Sequence, residues 1–192
     1  MEKFSGKKNI AVFISGRGSN LKSLIKYSKQ KNSLFKILLV ISNNTDAEGL
    51  KYASKSKINN FGIRYKKKHN FENQSLKLLK KYNVDLLCLA GFMKILSGNF
   101  IKKFSKPILN IHPSLLPKYK GLNTHEKVIN NMEKFSGATI HKVTHKLDSG
   151  KIILQRKVKI LKSDNASSLK KKILKIEHKI YPKAIVKFLT NL

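Results

Sequence analysis

Asn9-Ile10-Ala11-Val12-Phe13-Ile14-Ser15-Gly16-Arg17-Gly18-Ser19-Asn20 is the stretch on which the fold turns. The run from Asn9 to Ile14 is apolar, partly β-branched and too short for a stable helix, so it reads as a buried strand. A Gly/Ser turn follows. Leu21, Leu24 and Ile25 then recur at helical spacing from Asn20 to Tyr27. Strand, tight turn and helix in that order are the unit of a parallel sheet covered by helices.

The same pattern repeats outward. Ile37–Ser42 is a second buried strand, and the polar cluster Asn43-Asn44-Thr45-Asp46 offers an N-cap to a helix over Ala47–Lys55. A short third strand is expected near Phe61–Tyr65. Apolar residues at Leu76, Leu78 and Leu79 predict a helix over Phe71–Tyr82, and Val84–Ala90 reads as a central strand closed by Gly91. Crossovers of this kind are right-handed and leave ligand sites at the carboxyl ends of the strands.

Beyond Leu96 the pattern changes. Pro107–His112 is another short strand leading into the loop Pro113–Gly121, and Thr124–Asn131 has helical spacing. Gly137–Thr144 and Ile152–Leu161 alternate in polarity on either side of Asp148-Ser149-Gly150, which predicts an antiparallel addition at one end of the sheet. Ala166–Leu189 is a long amphipathic helix, expected to bend or break near Pro182. No repeat or linker divides the chain. The expectation is an α/β fold over residues 1–192: one domain with a doubly wound, mostly parallel twisted sheet and an antiparallel addition in the C-terminal half.

Composition narrows the function classes. The formal charge of +31 invites a nucleic-acid reading. Yet of 41 basic residues only Arg17, Arg64 and Arg156 are arginine, the side chain best suited to bidentate base and phosphate recognition. The lysines run along the whole chain and accompany abundant Asn and Ile, the mark of AT-rich codons. They read as a solvated surface, with no nucleic-acid partner. The longest apolar runs are about five residues, against ~20 needed to span a bilayer, so no membrane is expected and the cytoplasm is the default location. Cys88 lies within an apolar run and reads as a small buried hydrophobe.

Three segments carry candidate chemistry. Ser15–Asn20 places glycines directly before a helix, where unpaired amides suit a phosphate; a simple Gly-rich turn is the alternative. It is neither a Walker A loop nor a dinucleotide fingerprint. Asn110 and His112 stand two apart on a strand and so share a face, one able to donate to a developing oxyanion and the other to move a proton. Read alone, they are equally a polar strand end before Pro113. Asp148 is one of only ten acidic residues, and its Asp-Ser-Gly sequence is either a backbone turn or a carboxylate that supports His112. No segment has metal-ligand spacing.

Together and in this order, the Gly-rich turn, Leu89–Leu96, Asn110–Pro117, Gly121–His125 and Asp148–Gln155 resemble the folate-dependent formyltransferases, over about Asn9 to Leu189. The likeness is greatest to the branch that formylates glycinamide ribonucleotide in purine biosynthesis. The resemblance implies a Rossmann-like fold, 10-formyltetrahydrofolate as co-substrate, no metal, and small-molecule partners only; it leaves oligomeric state open. It implies Asn110, His112 and Asp148 as the catalytic set. Gly18, Ser19 and Asn20 fall on positions that bind the substrate phosphate, and Glu177 on one that contacts the substrate. Met93, Lys94, Ile95 and Leu96 match the segment lining the folate pocket, with Asn110 reaching the same cofactor. Lys68 stands where an arginine is usual. Asn123 and Lys120 also depart from the pattern, replacing a common histidine and a common proline. Rivals within the fold are a transfer-RNA formyltransferase, expected to carry an added C-terminal domain, and a formyltetrahydrofolate deformylase, expected to carry an added N-terminal one. A basic nucleic-acid-binding module is the rival from another class.

Overall fold

The computed structural model describes residues 6–191. Its strands, β1 (Lys8–Ile14), β2 (Phe35–Ser42), β3 (Asn59–Gly62), β4 (Leu86–Leu89), β5 (Ile108–His112), β6 (Phe135–Lys142) and β7 (Ile152–Lys159), form one sheet of order β3-β2-β1-β4-β5-β6-β7, and the chain divides into two compact units, Met1–Leu109 and Asn110–Leu192.

The first unit contains β1 (Lys8–Ile14), α1 (Ser19–Ser28), β2 (Phe35–Ser42), α2 (Glu48–Lys55), β3 (Asn59–Gly62), α3 (Lys68–Lys81), β4 (Leu86–Leu89), α4 (Gly98–Phe104) and the first residues of β5 (Ile108–His112). β1 is central, parallel to β2 on one side and to β4 on the other. This explains why Asn9–Ile14 reads as an unbroken apolar run: a strand covered on both faces has no polar side to present. Ile10 to Ile14 are fully buried. Phe13 sits among Phe71, Phe92 and Phe100 at ring-centre distances of 5.7, 5.4 and 6.1 Å. Burying a side chain of this size is worth about 1.5–3 kcal/mol.

Two local expectations change in this unit, and one element is new. The polar cluster before α2 does not cap it. Asn44 Oδ1 instead accepts from Asp46 N, and Ser42 Oγ accepts from Asn44 N, so these side chains spend their oxygens on a turn. The N-cap of α2 is Ala47, and the Gly49 amide in the first turn donates to the Gly16 carbonyl at 3.0 Å. The third strand begins earlier than Phe61, because its parallel register runs from Leu39 opposite Asn59 to Ser42 opposite Gly62. α4 was not anticipated. With only seven residues it shows no helical period, and its start depends on Ser97 Oγ accepting from Phe100 N.

The second unit contains the rest of β5, α5 (Thr124–Asn130), β6 (Phe135–Lys142), β7 (Ile152–Lys159) and α6 (Ala166–Leu189). β6 and β7 pair antiparallel, as their alternation predicts, and close one end of the sheet order. α6 packs on β6, β7 and α5. It opens with a capping box between Asn165 and Ser168 and runs without interruption through Pro182. Tyr181, Pro182, Ala184 and Ile185 are all buried, so packing offsets the hydrogen bond that proline removes. Among the described residues, no helix is long and apolar enough to cross a membrane.

The turn after β1 depends on a close approach of two glycines. Gly18 has φ 72°, and a Cβ there would lie 2.6 Å from the Gly49 Cα. A Cβ on Gly16 would meet nothing within 4 Å. Gly18→Ala is therefore expected to destabilise the protein by about 1–3 kcal/mol in denaturant titration, while Gly16→Ala stays within about 0.5 kcal/mol of the parent. Equal midpoints for the two variants would contradict this account of the turn.

Candidate active site

β5 presents Asn110 and His112 on one face, and the turn before β7 brings Asp148 to them. The His112 imidazole is buried, with Nε2 2.8 Å from the Tyr119 carbonyl and Nδ1 3.4 Å from Asp148 Oδ2. A carbonyl only accepts, so Nε2 carries the hydrogen and Nδ1 is the nitrogen free to take a proton beside the carboxylate.

A second imidazole mirrors this arrangement. His141, on β6, has Nδ1 3.1 Å from the Lys142 carbonyl and Nε2 3.5 Å from Asp148 Oδ1. By the same reasoning its Nδ1 donates. Nε2 is then the acceptor for the Asn110 amide, whose Nδ2 lies 3.3 Å away. Each histidine thus has one nitrogen fixed by a backbone carbonyl and the other facing Asp148. Oδ2 of Asp148 also accepts from the Gly121 amide at 2.9 Å. Asp148 holds its place in the left-handed region, φ 45°, which is uncommon outside glycine.

The electrostatics follow from burial. For Asp148, burial pushes the carboxyl pKa up, but the His141 imidazole beside Oδ1, the Gly121 amide and the positive charge that either imidazole gains on protonation outweigh it. The carboxyl therefore stays ionised below the usual carboxylate range. Burial lowers the His112 pKa below its ordinary value, only partly offset by the Tyr119 carbonyl and the Asp148 charge. At neutral pH the pair is a carboxylate beside a neutral imidazole poised to accept a proton.

The loop that supplies the Tyr119 carbonyl is tied down. Ser114 Oγ donates to the Lys118 carbonyl at 2.7 Å, and the Tyr119 hydroxyl donates to Glu133 Oε1 at 2.8 Å. Lys118 Nζ pairs with the same carboxylate oxygen. Glu177 is buried on α6.

In the first unit, Gly18 is the N-cap of α1, and Ser19 and Asn20 form its first residues, with no side-chain cap. Met93, Lys94, Ile95 and Leu96 follow β4 as irregular backbone, with Met93 and Ile95 60% and 61% exposed while Leu96 is buried. Lys94 Nζ lies 4.9 Å from the Tyr65 ring centre. Lys68 is exposed at the start of α3. Among the described residues no group of His, Cys, Asp and Glu side chains could hold a metal ion.

The family model described as formyl transferase matches residues 8–185. The chain belongs to the formyl transferase family. It is 40% identical over 191 residues to the phosphoribosylglycinamide formyltransferase of Haemophilus influenzae, covering 96% of this chain and 88% of that one. The crystal structure of phosphoribosylglycinamide formyltransferase from Brucella melitensis superposes with a TM-score of 0.90 at 38% identity, covering 95% of each chain. The trifunctional purine biosynthetic protein adenosine-3 of Bos taurus is 42% identical over 183 residues. This formyltransferase chain spans 93% of itself but only 18% of that longer protein.

His141 carries no motif of its own in the sequence; alternation along β6 says only that it shares a face with Thr139. The Tyr119 carbonyl and Gly121 amide had no signal, since backbone groups are invisible in side-chain patterns.

His112 is expected to titrate below about 6.5, the unperturbed histidine value, in a histidine-resolved NMR pH series. The Asp148 charge raises this pKa, so Asp148→Asn should move the midpoint lower still. An upward shift would show that the carboxylate does not support the imidazolium.

Proposed function

We propose that this formyltransferase moves a formyl group from 10-formyltetrahydrofolate to the primary amine of glycinamide ribonucleotide, a step of purine biosynthesis. The observation that carries this reading is the Asp148 carboxylate lying between two imidazoles, with the Asn110 amide bound to one of them. Relatives of matching length bear the name of this activity.

The residues divide the work as follows. The donor supplies an activated formyl carbonyl when bound. Asn110 has two amide hydrogens, and the bond to His141 Nε2 takes one, leaving the second to donate to the carbonyl oxygen as negative charge grows on it. His112 Nδ1 receives the proton released by the attacking amine, and Asp148 Oδ2 stabilises the resulting imidazolium. The same proton is then available to the departing folate nitrogen. No covalent bond to the protein is needed. Gly18, Ser19 and Asn20 take the substrate phosphate at the uncapped start of α1, and Glu177 takes its ribose hydroxyls. Met93, Lys94, Ile95, Leu96 and Lys68 take the folate, for which exposed apolar side chains on Met93 and Ile95 are a suitable surface. The reaction involves small molecules of the cytoplasm, without a nucleic acid or membrane.

Purified protein supplied with 10-formyltetrahydrofolate and glycinamide ribonucleotide should release tetrahydrofolate. Asn110→Ala should lower kcat by ~10²–10³, the usual loss for one donor to a developing oxyanion. No turnover by the parent protein sinks the proposal, and undiminished turnover by both His112→Ala and Asp148→Asn removes the assigned proton path.

A further inference from the structure

Ser15 lies just past β1 and makes two hydrogen bonds that the reaction scheme does not use. Its hydroxyl donates to Asn43 Oδ1 at 2.5 Å, so a lone pair is left to accept the Met93 amide at 2.8 Å. One side chain thus joins the ends of β1 and β2 to the irregular backbone after β4. At the far end of that backbone Glu72, buried on α3, accepts from both the amide and the hydroxyl of Ser97, at 2.7 and 2.6 Å. Met93 to Leu96 therefore have a side-chain clamp at each end and no ladder or helix between. Met93 and Ile95 remain about three-fifths exposed, although they are large and apolar. Without ties, such a segment lowers its free energy by folding those side chains inward. The clamps hold them outward in one conformation, which spares an incoming ligand the cost of ordering them.

We infer that Ser15 is a positioning residue for the folate donor: it fixes the Met93 end of the segment that receives the donor, without touching the reacting atoms. This rests on the function proposed above. Its two readouts separate the failure of one from the failure of the other.

Amide hydrogen exchange needs no substrate. Ser15→Ala should speed exchange at Met93 and its neighbours by about tenfold, while β1 itself stays protected. In steady-state kinetics the same variant should raise KM for 10-formyltetrahydrofolate about five- to tenfold, with kcat and KM for glycinamide ribonucleotide within about twofold of the parent. Ser15→Thr, which keeps the hydroxyl, should recover most of the loss. Unchanged exchange overturns the clamp. Faster exchange with an unchanged folate KM overturns its role in donor binding, as does an equal rise in both KM values, which would mark general damage to the turn. If the parent protein does not turn over at all, the functional reading fails, and the donor role of Ser15 fails with it even where exchange responds.

Discussion

A carboxylate as enclosed as Asp148 is tolerated only if its charge is answered, since removing an ion from water without compensation costs several kcal/mol. The Gly121 amide donates to it, and two imidazoles lie against its oxygens, ready to carry the opposite charge on protonation. Each imidazole is in turn aligned by a carbonyl, of Tyr119 or of Lys142. The loop from Pro113 to Gly121 has to take up a particular path to deliver both the Tyr119 carbonyl and the Gly121 amide. The Glu133 contacts with Lys118 and Tyr119 hold that path. Thus a requirement set at one side chain reaches through the loop to residues with no chemical role of their own.

The unit ending at Leu109 meets a different demand by different means. Its turn after β1 offers backbone groups, and backbone can come close to a ligand only where side chains are absent. Gly18 and Gly49 pack against each other, and the Gly16 carbonyl fills the role that a polar N-cap would play for α2. The cluster from Asn43 to Asp46 is then released from capping, and Asn43 becomes the acceptor for Ser15. Economy of this sort is common at the carboxyl ends of parallel strands, where several loops converge on few polar groups.

The parallel part of the sheet and its antiparallel end could be read directly because burial on two faces and burial on one leave different patterns: unbroken apolar runs for β1, β2 and β4, and alternation for β6 and β7. Asn110, His112 and Asp148 were legible only in combination. The spacing of Asn110 and His112 along β5 gives the shared face, but nothing in the chain says that Asp148, far along the sequence, returns to it. What stayed hidden falls into two kinds. Short elements such as α4 are set by a cap and a tertiary contact, here Ser97 and Glu72, and carry too few residues for a period. Contacts through backbone atoms, such as Gly49 to Gly16, leave no side-chain mark except the glycine itself.

The departures from the family's common pattern also gain a physical reading. Asn123, which the resemblance puts where histidine is common, adopts φ 58°, ψ 35° at the start of α5. That left-handed conformation is one that asparagine enters more readily than most residues, so the exchange keeps the backbone path. The resemblance puts Lys120 where proline is common. A proline would fix φ there; Lys120 leaves φ free, and its ammonium donates to Ser149 Oγ at 2.6 Å. Ser149 directly follows Asp148, and Gly121, directly after Lys120, supplies the amide to that carboxylate. The lysine therefore ties the loop to the same turn that carries Asp148.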